Sequence, residues 1–280
     1  MKADERTLRD SGELYYCWTD KTHMKELVRQ LEVVTIRDPS LAVHVNILNV
    51  TVVDHEFKSI MEKLARCIAL LPNLHTVQLR TMPAWSYLEC FMSNVFKQYT
   101  YPQIRTVAVC SRASPIMESC PGMVRLYAYN GLQYGCLDHF VEKSYSQVEV
   151  LGTPVDKYSL TKHSVESKYH SFVKGETLVQ SLPNLRDITL DRLILGRAFD
   201  WIKPIMQLRN LQTIRLRMDS DTPALPHDRH RACAEWIKWS QHILSQNQNP
   251  DIVNKQVILT DPDGKVTVYV VAGLAKYVGL

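Results

Sequence analysis

The residues with the clearest metal-ligand spacing lie near the C-terminal end of the chain. In "HDRHRAC", His227, His230 and Cys233 follow one another at steps of three, so on a helix they could face the same way. Imidazole nitrogen and thiolate sulfur suit zinc, but a structural zinc site takes four ligands. We find no clear fourth ligand nearby, and a polar helix start with Cys233 packed inward explains the same letters. We therefore expect neither a metal site nor a cofactor.

Cysteine chemistry and the common catalytic motifs indicate no enzyme class. The chain has seven cysteines, an odd number with no CxxC pair, which argues against a disulfide framework and a zinc module. Cys110 and Cys120 could meet in the fold, but two free core thiols are the simpler interpretation. The sequence also lacks GxSxG, P-loop, GxGxxG and HExxH motifs. We expect a protein that is not an enzyme; an α/β enzyme without a recognisable motif is one alternative.

A nine-residue pattern that occurs twice indicates a repeating structural unit. "LPNLHTVQL" covers residues 71–79, and "LPNLRDITL" covers residues 182–190. The shared skeleton, L-x-x-L-x-L, ends in the alternation of a half-buried strand. Further, weaker copies occur along the chain. The first anchors of all copies are Val45, Leu74, Ile104, Met123, Val148, Leu185 and Leu211. We predict one continuous core formed by the anchors Leu74, Val77, Leu79, Ile104, Val107, Leu126, Leu185, Ile188, Leu190, Leu211, Ile214 and Leu216.

Stretches with helical spacing separate these strands. "HEFKSIMEKLARCIALL" has an apolar stripe from Phe57 to Ile68. "AWSYLECFMSNVFKQY", "YGCLDHFVEK" and "GRAFDWIKPIMQL" behave similarly, although Pro204 should divide the last. Strand–helix units stacked many times predict an α/β fold, an irregular leucine-rich-repeat solenoid with parallel strands on the concave face and helices on the convex face. The rival interpretation is an open doubly wound α/β fold.

The two ends differ from the repeat, and we interpret them as caps of a single continuous domain. Residues 1–30 are the N-terminal cap segment, followed by residues 31–220 as the solenoid and residues 221–280 as the C-terminal cap. The N-terminal part holds the predicted helix "THMKELVRQL" and the predicted strands "VVTI" and "VHVNILNV". The C-terminal cap combines the helix "HRACAEWIKWSQHIL" with a β-hairpin, "QVILTDPDGKVTVYVV". The polar segment "TPVDKYSLTKHSVESKYH" is predicted to protrude as a loop.

One feature of regular leucine-rich repeats is missing. They carry Asn or Cys three residues after the last apolar anchor. In this chain the corresponding residues are Val53, Met82, Arg112, Gly131, Leu193 and Asp219. We therefore expect no asparagine ladder and an irregular curvature.

With these motifs in place, the chain resembles the irregular leucine-rich-repeat region of F-box proteins, above all the large fungal sets. The resemblance rests on "LLPNLHTVQL", "YPQIRTVAV", "SLPNLRDITL", "LRNLQTIRL" and "LAVHVNIL", and it covers residues 30–220. It implies a substrate-recognition scaffold whose repeats hold a protein, while an F-box docks on a ubiquitin-ligase core. The sequence departs from the family at that F-box, which we do not find before "THMKELVRQL".

The candidate binding residues lie between the anchors. Alternate side chains of a strand face opposite sides, so these residues should share the concave face. Tyr and Arg are the residues that interfaces favour as anchors. The predicted partner-binding set is Gln78, Arg80, Arg125, Tyr127, Tyr129, Asp187, Asp191, Arg215 and Arg217. An ordinary solvated sheet face is the plainer interpretation, an RNA-binding solenoid is a further alternative, and residues 153–170 are an alternative binding surface.

The net charge and the lengths of the apolar runs indicate which kinds of partner and location to expect. The net charge of +4 is spread over 280 residues, which makes nucleic acid an unlikely partner. We find no apolar run long enough to cross a membrane and no leader with an apolar centre. The expected location is therefore the cytoplasm or the nucleus, and the expected partner is a protein or peptide, with a ubiquitin-ligase adaptor if an F-box is missing or cryptic.

Overall fold

A computed structural model describes most of the chain, with gaps. The described residues are 7–8, 14–15, 21–52, 57–81, 88–129, 144–152, 175–191, 203–218, 226–247, 249, 252 and 254–271. The predicted helix "YGCLDHFVEK", the polar segment at 153–170 and the first part of "GRAFDWIKPIMQL" lie outside these residues.

The fold is α/β and is dominated by one open sheet of nine strands. Its strands are β3 (Ile47–Val52), β4 (Thr76–Thr81), β5 (Thr106–Val109), β6 (Arg125–Ala128), β7 (Val150–Gly152), β8 (Asp187–Asp191), β9 (Thr213–Arg217), β10 (Lys255–Thr260) and β11 (Val266–Val271). Two short strands before them, β1 (Thr7–Leu8) and β2 (Leu14–Tyr15), pair with each other in a separate antiparallel sheet. β3 to β11 lie side by side in chain order, and all neighbours are parallel except the β10–β11 hairpin. The order never reverses, so the sheet lacks the switch point of a doubly wound fold.

Helical segments connect many of the strands. The α-helices are α1 (Lys21–Glu32), α2 (Phe57–Ala69), α3 (Leu88–Phe96), α4 (Gly175–Ser181) and α5 (Pro226–Gln246). Shorter 3-10 helices span Pro39–His44, Ser111–Ser119 and Lys203–Gln207. The predicted helices at α1, α2, α3 and α5 and the C-terminal hairpin are therefore confirmed. In the hairpin turn, Gly264 adopts a φ of 82°, which a residue without a side chain tolerates best.

The prediction of a strand at "VVTI" was wrong. Val33–Arg37 instead forms a π-helical turn that continues α1, and the Asp38 amide donates to the Val33 carbonyl at 2.8 Å. The Thr35 hydroxyl donates to the Leu31 carbonyl at 2.6 Å, a back-bond to the preceding turn that Thr makes when it lies within a helix. The strand predicted at "VHVNILNV" begins only at Ile47, because Pro39–His44 forms a 3-10 helix. Local β-propensity is overridden here by the adjoining helix.

The core lies on one side of the sheet. All twelve predicted anchors are buried in one continuous cluster, which confirms that prediction. The cluster also contains Ile60 and Leu64 of α2, Met92 of α3 and Trp236 of α5, so these helices cover the same face of the sheet. Each strand thus buries its alternate side chains under the helices, as the period of two requires.

The same backbone contact recurs at each crossing from β3 to β9. The carbonyl just before β4, that of His75, accepts hydrogen bonds from the amides of Arg105 and Thr106 in the next unit, both at 2.9 Å. Equivalent double contacts run along the sheet. Their accepting carbonyls belong to Asn46, His75, Arg105, Val124, Glu149 and Arg186. This contact fixes the register of each strand against its neighbour, and the strands enter the sheet in step.

Asparagine side chains link neighbouring units at the amino ends of the strands. The Asn184 amide donates to the Ser146 carbonyl at 2.8 Å, the Asn210 amide to the Asn184 oxygen at 3.0 Å, and the Asn249 amide to the Asn210 oxygen at 3.2 Å. Two of these asparagines belong to the "LPNL" and "LRNL" motifs. A chain of asparagines therefore exists, at the end of the strands opposite to the position that regular leucine-rich repeats use.

The one-sided core makes a direct prediction about stability. Leu185 is fully buried, whereas Leu70 is 50% exposed. Replacing Leu185 by Ala should lower the free energy of unfolding by about 2–5 kcal/mol, because the cavity and the lost burial both count. The same change at Leu70 should stay within about 0.5 kcal/mol. Urea denaturation of both variants measures the difference, and equal costs would contradict the assignment of the core face.

Candidate functional site

The face of the sheet opposite the core carries the predicted binding residues; we call it the open face. In register across β4 to β9, one row holds Thr76, Thr106, Arg125, Val150, Asp187 and Thr213. The next row holds Gln78, Ala108, Tyr127, Gly152, Thr189 and Arg215. Arg80, Tyr129 and Arg217 continue the face toward the carboxyl ends of the strands. Asp191 ends β8, and its side chain lies outside the described part of the structure.

Tyr129, Gln78 and Arg80 form the first cluster on this face. The Tyr129 hydroxyl donates to the Gln78 side-chain oxygen at 3.1 Å, and the Arg80 guanidinium lies 3.9 Å from the centre of the Tyr129 ring. Tyr129 follows β6 and Gln78 lies on β4, so the ring crosses the intervening strand β5. Ala108, the neighbour of Gln78 on β5, is 2% exposed although it belongs to the open face. Stacking of an arginine on an aromatic ring is a favourable cation–π contact.

Tyr127 and Thr189 form a second cluster around a glycine. A Cβ atom at Gly152 would lie 2.8 Å from the Thr189 hydroxyl oxygen and 3.5 Å from a ring carbon of Tyr127. The space above Gly152 is thus already filled by its two neighbours in the row. Thr189 is buried as a result, and Tyr127 is half-buried. Only a residue without a side chain allows this close packing at the centre of the open face.

Arg215 and Asp187 form a bidentate ion pair beside this cluster. The Arg215 Nε atom lies 3.0 and 2.9 Å from the two Asp187 oxygens, and its Nη2 atom lies 2.7 Å from Oδ2. The hydrogen bonds to Asp187 raise the pKa of the Arg215 guanidinium above its usual value. The Asp187 side chain is only 15% exposed, so the arginine largely covers the carboxylate. The two charges cancel within the protein.

Arg125 differs from the other arginines of the open face. It is exposed and lies in register between Thr106 and Val150. Within the described ranges, its guanidinium makes no salt bridge and no side-chain hydrogen bond. Its five N–H donors are therefore available to a ligand carrying carboxylate or phosphate oxygens.

The structure corrects two expectations about the predicted site. Tyr129 does not stand free for a partner, because it is 7% exposed and is held between Arg80 and Gln78. Arg215 does not contribute a separate positive charge, because Asp187 neutralises it. Sequence reasoning placed Ala108 on this face but missed Gly152, whose lack of a side chain admits Tyr127 and Thr189. The only sequence signal was a small residue near the end of β7, and it becomes informative once the register is known.

The possible metal and disulfide residues do not form a site in the described structure. His227 and His230 lie in α5 with their side chains outside the described residues, and Cys233 is buried in the same helix, which raises its thiol pKa. Among the described side chains, no group of three His, Cys, Asp or Glu residues could hold a metal ion. Cys110 and Cys120 are both buried free thiols.

Comparisons with known proteins add no identity. No protein-family model matches the chain, and a search of curated proteins finds no match. Within the described ranges, no helix has both the length and the apolar character that spanning a membrane requires.

The packing over Gly152 gives a testable coupling. Replacing Gly152 by Ala should destabilise the fold by about 1–3 kcal/mol, because the new Cβ clashes with the Thr189 hydroxyl. In a Thr189→Ala background the cost should fall by at least about 0.5 kcal/mol, since the clashing oxygen is gone. A double-mutant cycle of unfolding free energies measures this coupling. An unchanged cost would mean that Thr189 does not lie over Gly152.

Burial of the thiols gives a second prediction. Burial raises the pKa of Cys120 to about 12, so almost no thiolate exists there at pH 8. Cys90 is exposed. Iodoacetamide at pH 8 should therefore alkylate Cys90 and spare Cys120 in the folded protein, and should modify both in urea. Peptide mass spectrometry distinguishes the two sites. Equal alkylation rates in the folded protein would contradict the burial of Cys120.

Proposed function

We propose that the chain is a non-enzymatic protein-interaction scaffold of the leucine-rich-repeat type. Its strands line the concave face of an irregular solenoid and its helices the convex face, with residues 1–30 and 221–280 closing the ends. It binds a protein or peptide partner through the open face in the cytoplasm or nucleus. In this role it resembles the substrate-recognition half of F-box proteins.

The order of the sheet supports the solenoid part of this proposal. Each of the strands β4 to β9 lies next to its predecessor in the chain, and the same double hydrogen bond recurs at successive crossings. A stack of strand–helix units, each burying its apolar face against its neighbours, produces this order. The five described cysteines are free, in keeping with a reducing compartment.

The observation that supports the binding function is that the open face combines fixed side chains with an arginine that is free to bind a partner. Tyr127, Thr189 and the Arg215–Asp187 pair are held in place by packing and hydrogen bonds. Beside them, Arg125 is exposed and free to bind. A rigid surface with an available arginine loses little conformational entropy when a partner binds.

The proposal predicts which charge reversal removes a partner. The tagged chain is expressed in its source cells, and co-purifying proteins are quantified by mass spectrometry for the wild type, Arg125→Glu and Arg66→Glu. Arg66 is exposed on α2, away from the open face. At least one partner should fall about fivefold or more with Arg125→Glu, because loss of an interface anchor costs about 1 kcal/mol or more. The same partner should persist with Arg66→Glu.

Melting curves of both variants verify that they fold. Equal recovery of every partner with Arg125→Glu and Arg66→Glu would place the binding surface elsewhere. Recovery of a ubiquitin-ligase adaptor by the wild type would support the F-box-type role.

A further inference from the structure

We propose that the open face binds an extended acidic segment of another protein. In this proposal, which rests on the proposed binding function, Arg125 holds a ligand carboxylate, and Asp187 limits how much negative charge the face accepts. The partner is thus a peptide stretch rich in Asp or Glu.

The charge of the open face favours an anionic ligand. Its described cationic side chains are all arginines, namely Arg80, Arg125, Arg215 and Arg217, and its one described anionic side chain is Asp187. No lysine or glutamate lies in the described rows. Arg215 and Asp187 neutralise each other, whereas Arg125 is exposed and is not neutralised by any described residue. A ligand with carboxylates complements that charge.

Arg125 is placed to receive the first carboxylate. Its neighbours in the row are the uncharged Thr106 and Val150, so no fixed anion competes for it there. Tyr127 follows two residues later on the same strand and offers a half-buried ring for apolar contact. An extended peptide crossing parallel strands meets a new strand about every 4.8 Å, which brings successive ligand side chains to successive strands.

Asp187 already forms an ion pair with Arg215, the other exposed arginine in these two rows of the open face. It lies one strand beyond Val150, and its carboxylate already makes the bidentate contact with Arg215 that a ligand carboxylate would make. A second ligand carboxylate therefore has to displace Asp187 or forgo Arg215. The internal carboxylate acts as a selectivity residue, because it weakens the binding of a second ligand carboxylate next to the one that Arg125 holds.

The same features favour a peptide over RNA. Single-stranded RNA binds through several phosphates and through bases stacked on exposed aromatic rings. Here Arg215 is neutralised, and the Tyr129 ring is covered by Arg80. One available arginine beside one half-buried tyrosine suits a short acidic peptide.

The test uses fluorescein-labelled hexaglutamate and the full-length chain, with binding read by fluorescence anisotropy at low ionic strength. Asp187→Asn should tighten binding about two- to fivefold, because it frees Arg215 and preserves the shape of the side chain. Arg125→Gln should weaken binding at least about fivefold. Melting curves verify that the variants fold.

Two matched variants separate position from net charge. Glu149→Gln removes one negative charge from a different ion pair. A Glu149 carboxylate oxygen lies 3.8 Å from Nε of Arg186, and both residues immediately precede their strands, β7 and β8. Arg66→Gln removes one positive charge from α2. Both should bind hexaglutamate like the wild type. If Glu149→Gln tightens binding as much as Asp187→Asn, or Arg66→Gln weakens it as much as Arg125→Gln, only net charge matters and the proposal fails.

Two further outcomes would overturn the inference. One is that hexaglutamate binds neither the wild type nor Asp187→Asn. The other is that oligouridylate binds more tightly than hexaglutamate with the same dependence on Arg125, which would assign the face to RNA. A cellular protein partner that is lost with Arg125→Glu while hexaglutamate fails to bind would remove the acidic-segment inference and leave the proposed scaffold function standing.

Discussion

A single constraint underlies the structure: no strand–helix unit of this chain can bury its apolar face alone. Anchors such as Val77 and Leu79 are buried only when the neighbouring strands supply Val50 and Val107 beside them and α2 covers them. Because burial of apolar surface provides most of the stabilisation, each strand must enter the sheet in the same register as its predecessor. The shared carbonyl contacts before the strands and the asparagine chain at their amino ends fix that register.

The register that the buried face requires also determines which side chains lie next to one another on the open face. Since side chains alternate, placing the anchors inward leaves rows of residues in step across the open face. Large and small members of a row can then complement one another. The Tyr129 side chain reaches across β5 to Gln78, and Tyr127 packs beside Gly152 with Thr189. The open face is consequently an ordered surface, although it lies outside the main hydrophobic cluster.

Charge on this surface is organised by pairing. Asp187 neutralises Arg215, and the Tyr129 ring stacks against the Arg80 guanidinium, so both arginines are held in fixed positions. Exposed ion pairs add little stability, but a bidentate pair with a largely covered carboxylate fixes the direction of both groups. Arg125, beside this ordered region, retains its donors. The open face therefore combines arginines held by partners within the protein with one arginine whose donors are available.

The sequence by itself determined the α/β class, the twelve core anchors, most helices and the terminal hairpin, because apolar periodicity and turn residues act locally. The sequence also placed the candidate residues on one face of the sheet, because the alternation of apolar and polar residues along each strand is visible in the sequence alone. Only the tertiary structure decided that "VVTI" continues a helix, that Tyr129 is buried and that Arg215 is neutralised. Those outcomes depend on partners at long range, such as Gln78, 51 positions from Tyr129, and Asp187, 28 positions from Arg215. No local pattern encodes such contacts; they exist only once the strands stand in register.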